Sequence, residues 1–88
     1  MICKRVIYSG RVQGVGFRYT AQRVAEGFAV AGYVKNLPNG SVELVAQGEA
    51  DQVEGLLQAL AQQMAGYIRD AAVSAEPPGN YQDFRVRY

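Results

Sequence analysis

The stretch from Lys4 to Phe28, "KRVIYSGRVQGVGFRYTAQRVAEGF", holds three signals in succession. Lys4 to Gly10 is a β-branched and aromatic run closed by glycine, which reads as a strand. A glycine-rich loop follows from Gly10 to Gly16. Ala21, Val24, Ala25 and Phe28 then fall at i, i+3, i+4 and i+7, the apolar stripe of a helix. A strand, a loop and a helix in this order open a unit in which the next strand runs the same way as the first.

That next strand is read from Val30 to Asn36. "LPNG", Leu37 to Gly40, is a turn, with Asn39-Gly40 able to take the positive φ of a tight hairpin. A third strand runs from Ser41 to Gln47, with Val42, Leu44 and Ala46 on one face. Val53, Leu56, Leu57, Leu60 and Met64 keep the helical period over three turns. Ala71 to Pro77 reads as a fourth strand, and "FRVRY", Phe84 to Tyr88, as a short terminal one. The order β-α-β-β-α-β predicts a ferredoxin-like α+β sandwich, an antiparallel sheet with both helices on one face. The first two strands are parallel, so their C-terminal ends share one edge. With one strand between them they lie about 10 Å apart, at ~4.8 Å per strand. The glycine loop and Asn36 should therefore face a common crevice.

The rest of the composition narrows the chemistry. An 88-residue chain that is 49% apolar and 19% charged reads as a single globular domain over residues 1–88. One cysteine, Cys3, allows no internal disulfide, so packing must hold the fold, which suits a cytoplasmic protein. No run approaches the ~20 apolar residues of a membrane span, and the N-terminus has no apolar run of signal-peptide length, so neither membrane nor export is expected. A net charge of +1 is far from the strong basicity of a nucleic-acid binder. With no histidine and one cysteine, Ser-His, Cys-His and His-metal chemistry are absent. Catalysis would have to run on arginine, main-chain amides, Asn or Gln amides, or isolated acids. No long apolar stripe demands a partner, so a monomer is expected.

The glycines between Gly10 and Arg18 permit a backbone whose successive N–H groups turn inward as an anion nest. The loop ends at a helix N-terminus, where unpaired amides and the dipole favour negative charge. Arg18, a cation in the first turn, is unfavourable for the helix unless an anion joins it. No Gly-Lys-Ser/Thr follows, so this is not a Walker A loop, and the third glycine of a dinucleotide fingerprint is missing. On these grounds a phosphate site and a merely structural loop both stay open.

Three stretches resemble a known family. "GRVQGVGFRYT", Gly10 to Thr20, is similar to the phosphate-cradle signature of the acylphosphatases, Gly-x-Val-Gln-Gly-Val-x-Phe-Arg. "GYVKNLPNGSVELVAQG", Gly32 to Gly48, resembles the second signature of that family, and "FRVRY" its C-terminal strand. "AGYIRD", Ala65 to Asp70, departs from the family's proline-containing turn.

The resemblance implies hydrolysis of the carboxyl-phosphate bond of small acyl phosphates, with no metal and no cofactor. It implies that Arg18 and the amides of Gln13, Gly14, Val15, Gly16, Phe17 and Arg18 bind the phosphate. Asn36 would orient the attacking water. Thr20 is read either as a support for the loop or as an ordinary exposed threonine. Gln13 is read chiefly as a backbone donor, with a side-chain role as the alternative, Lys35 as solvated on the opposite face, and Tyr8, Phe17 and Tyr33 as packing. Arg85 and Arg87 read as a solvated face, Cys3 as an inert strand residue, and Asn39-Gly-Ser41 as hairpin chemistry rather than a sequon. The alternatives are a non-catalytic anion-binding or regulatory module of the same fold, an RNA-binding domain, and a carbamoyl-phosphate domain of a larger enzyme. The chain's end at the terminal strand favours a free-standing enzyme over the last of these.

Overall fold

Alternating and helical apolar patterns become elements close to where the sequence puts them. The structure, a computed structural model, describes residues 1–88. In chain order it contains β1 (Ile2–Gly10), α1 (Phe17–Ala25), β2 (Val30–Asn36), β3 (Val42–Gly48), α2 (Ala50–Gln63), β4 (Ile68–Ala75) and β5 (Phe84–Arg87). The five strands form one sheet in the order β4-β1-β3-β2-β5. β3 is antiparallel to β1 and β2, and β4 is antiparallel to β1. β5 pairs parallel to β2, so the sheet is mixed rather than wholly antiparallel.

The direction of β5 follows from the path of the chain. β4 ends beside the start of β1, with Ala75 opposite Lys4. To reach the far edge, the chain crosses at that same end of the sheet, and β5 then has to run alongside β2. On the way, Gly79 exchanges two hydrogen bonds with the Gln47 side chain, at 2.7 and 3.1 Å. Cys3 lies buried on the same face, and that burial pushes its thiol upward, as does the nearby charge of Glu76.

Central β3 is buried on both faces. On the helix side Val42, Leu44 and Ala46 join Val6, Tyr8 and Val34 under Phe17 and Ala21 of α1 and Val53, Leu56 and Leu60 of α2. A fully buried leucine such as Leu56 or Leu60 contributes roughly 1.5–3 kcal/mol from area removed from water. Phe28 lies beyond the end of α1 but still packs on this core. No helix is long and apolar enough to cross a membrane.

β4 is the main displacement from the sequence reading, beginning at Ile68 rather than Ala71 and ending at Ala75 rather than Pro77. The Met64 carbonyl accepts from Tyr67 and Ile68, so "AGYIRD" closes the helix and enters the strand at once. At the other end Glu76 donates to Cys3. Pro77 and Pro78 have no N–H with which to extend the ladder. Topology sets the site: β3 alone separates the parallel strands β1 and β2, so their C-terminal ends lie at one edge.

Candidate active site

The loop between β1 and α1 is shaped by two glycines. Gly14 and Gly16 both have φ 77°, the left-handed conformation that side chains with a Cβ avoid. A Cβ added at either would meet nothing within 4 Å, so the requirement for glycine is conformational rather than steric. Alternation of left-handed residues along a loop turns successive N–H groups to one side. Main-chain bonding agrees: Arg11 donates to Tyr67 and Thr20 to Gly16, each at 2.9 Å, and no N–H from Val12 to Tyr19 has a partner in the protein. Gly16 caps α1 without a side-chain bond, and no acid stands in the first turn. The helix therefore presents bare donors and its positive dipole end. Phe17, buried against the Tyr8 ring at 4.9 Å, fixes where the helix begins.

Arg18 lies in the first turn with its guanidinium held from the C-terminal side. Its NH1 donates to the Arg87 carbonyl at 3.1 Å, and its Cζ lies 4.8 Å from the centre of the Tyr88 ring. The parallel placement of β5 beside β2 makes both contacts possible. Most of the five N–H donors of Arg18 are not used by these contacts.

Asn36 is the last residue of β2, opposite Val42. Its Oδ1 is buried and has no hydrogen-bond partner in the protein. A buried acceptor left unpaired costs roughly 1–3 kcal/mol, so it marks a place where a donor belongs. Asn36 shares a crevice of about 610 Å³ with Gly14, Gly16, Phe17 and Arg18. The third wall comes from the C-terminal strand, with Phe84, Val86 and Tyr88.

Not every residue of the sequence-based set takes part in the same way. Gln13 and Val15 do not line the crevice. Instead the Gln13 side chain reaches the turn after Asn36, the alternative to its chief reading as a backbone donor. Thr20 meets the loop through its backbone N–H, and its hydroxyl joins no hydrogen bond. In the turn, Gly40 alone has positive φ (92°), while Asn39 instead accepts from the Ser41 N–H at 3.0 Å. The tyrosine and arginine contacts at the C-terminus were missed, though an aromatic last residue on a terminal strand was the available signal.

The other face of the sheet holds a separate polar cluster. Glu43 accepts from Arg5 at 2.7 Å and from the Tyr33 hydroxyl at 2.8 Å. Burial raises the Glu43 carboxyl, but the hydrogen bonds from Arg5 and Tyr33 and the nearby charges of Arg5 and Lys35 outweigh it and hold the group below its ordinary value. Burial, followed by the bond to Glu43, pushes Tyr33 up to about 12. Arg87 lies over the Tyr33 ring at 4.0 Å. No three Cys, Asp or Glu side chains stand together in a way that could hold a metal ion.

Known proteins resemble the chain over its length. The acylphosphatase family model matches residues 4–86. An acylphosphatase of Petrotoga mobilis is 46% identical over 90 residues, covering all of both chains. The crystal structure of an acylphosphatase from Bacillus subtilis superposes with a TM-score of 0.90 at 32% identity, again over all of both chains. The HypF of T. kodakarensis is similar over this whole chain, with a TM-score of 0.87 and 28% identity, but the match covers only 12% of that larger protein.

Proposed function

This chain belongs to the acylphosphatase family, and from that premise we propose how it hydrolyses acyl phosphates. The phosphoryl group binds where the N–H groups of Gln13 to Arg18 have no partner, with the Arg18 guanidinium on two of its oxygens. The observation that carries this reading is the unbroken run of unpaired donors beside an arginine at a helix start. Such donors are fixed before charge develops on the equatorial oxygens, and fixed donors stabilise a transition state at little reorganisation cost.

A water molecule donates to the orphaned Asn36 Oδ1 and is held there for attack on phosphorus. As the water oxygen bonds to phosphorus, the bond from phosphorus to the acyl oxygen breaks, and the electron pair leaves with the carboxylate. That leaving group has a pKa near ~4.3 and departs without a general acid. Asn36 is uncharged and accepts no proton at neutral pH. The proton of the water passes to a phosphate oxygen, giving inorganic phosphate. The substrate is a small acyl phosphate, and the enzyme acts as a cytoplasmic monomer needing no metal.

The test is hydrolysis of acetyl, benzoyl and carbamoyl phosphate with p-nitrophenyl phosphate as control, with and without chelator. Turnover of the acyl phosphates in chelator, and none of the phenolic ester, is expected. Arg18→Ala should lose at least ~10²-fold in kcat/KM, the usual effect of removing one strong charge-stabilising donor. A folded Arg18→Ala at the parental rate would overturn the assignment.

A further inference from the structure

We infer that the Gln13 side chain is a positioning residue for the hydrolytic step, tying the phosphate loop to the turn that carries Asn36. The inference rests on the water-orienting role proposed above for Asn36.

Gln13 immediately precedes Gly14, the first left-handed residue of the loop. Its Nε2 donates to the Leu37 carbonyl at 2.8 Å and to the Ser41 carbonyl at 2.9 Å. Both N–H groups of the amide are thereby used. The two acceptors already close the turn between them. Leu37 N–H donates to Ser41 at 2.9 Å, and Gly40 N–H donates to Leu37 at 3.1 Å. Each carbonyl has two lone pairs, so each takes one main-chain donor and one from Gln13.

A turn held only by its own bonds is free to tilt where the ladder ends, and the ladder ends at the Asn36–Val42 pair. Gln13 removes that freedom from the first residue of the anion nest, whose main-chain N–H stays free while its side chain grips the turn. It is also the one side chain that hydrogen-bonds between this loop and this turn. The separation between the nest and the Asn36 amide is thus set by one planar group gripping both ends of the turn. In-line attack depends on such a separation, since ~1 Å of misplacement can cost about 10²-fold in rate.

The first measurement is Gln13→Met, which keeps length and removes both donors. Its kcat with benzoyl phosphate should fall about 10-fold, while the inhibition constant of inorganic phosphate stays within about 2-fold, because the nest is intact. In an Asn36→Ala background the same change should alter kcat by less than about 2-fold, since nothing is left to position. Gln13→Glu supplies an independent readout. Its carboxylate has no donor, whereas the protonated acid has one, so its kcat relative to the parent should recover as pH falls through the carboxyl titration.

Unchanged kcat in folded Gln13→Met overturns the inference. So does a full-sized loss in the Asn36→Ala background, or phosphate binding that weakens as much as kcat. Should Gln13→Met not fold, the Glu variant decides, and a relative kcat that stays flat on acidification overturns the inference. If Asn36→Ala itself keeps the parental kcat, the water-orienting role fails. If only Gln13→Met does, the tie alone fails.

Discussion

Asn36→Ala separates function from stability at a single residue. The Asn36 side chain makes no hydrogen bond within the protein, and its Oδ1 is buried. Alanine therefore breaks no protein bond and relieves an acceptor whose full desolvation costs roughly 1–3 kcal/mol. Solvent entering the crevice recovers much of that, and alanine gives up some packing. The expected net change is a gain of about 0–1 kcal/mol, or a rise of roughly 0–8 °C in Tm for a chain of this size. Activity should move the other way. Losing the group proposed to aim the nucleophile should lower kcat by about 10²-fold. Inorganic phosphate, held in the proposed mechanism by the loop and Arg18, should inhibit as before. Thermal melts followed by circular dichroism, kcat with benzoyl phosphate and the phosphate inhibition constant test this on one preparation. A Tm lowered by ~8 °C or more would make Asn36 a structural residue, and parental kcat would remove it from the mechanism.

Three further outcomes are expected. Gly16→Ala should cost about 1–2 kcal/mol from its positive φ, seen as a lower Tm, and should weaken phosphate inhibition because the N–H groups on either side no longer converge. Tyr88→Ala should lower kcat/KM about 2–5-fold, the worth of an exposed cation–π contact of ~0.5–1 kcal/mol, with Tyr88→Phe retaining most of it. The Glu43 carboxyl is held below its ordinary value, so its contribution to stability is complete above the unfolded pKa and lost as pH falls through the folded one. Glu43→Gln should therefore flatten the dependence of Tm on pH over the acid limb, from about pH 5 downward, and an equally steep limb would refute it.

The fold was largely legible because its strongest signals are periodic. α2 follows from Val53, Leu56 and Leu60, and β2 runs from Val30 to Asn36, the bounds the sequence implies. Strand order was legible only through chain direction: parallel β1 and β2 with one strand between them put the loop and Asn36 at one edge. β4 was not legible in detail. Its side chains are nearly all exposed, so no inward-outward alternation marks its limits, which are set by the Met64 turn and by two prolines. The parallel direction of β5 depends on a connection crossing the sheet, and no local pattern of "FRVRY" encodes that.

The site divides along the same line. Gly14 and Gly16 take their left-handed conformations, and Arg18 its place at a helix start, from local geometry, and local geometry is what a sequence motif records. Gln13 and Tyr88 make their contacts with residues 24 to 70 positions away along the chain. Whether an amide side chain grips a distant turn or points to solvent depends on where that turn is carried by the sheet. The unpaired Asn36 oxygen is of this second kind too: its identity is visible in sequence, but its burial without a partner exists only once β3, the loop and the C-terminal strand have closed around it. In the proposed mechanism, a local motif therefore supplies the anion-binding half of the site, and the tertiary fold supplies the half that aims the nucleophile. On this division, substitutions in the loop should change phosphate affinity, while those in the turn and its tie should change turnover.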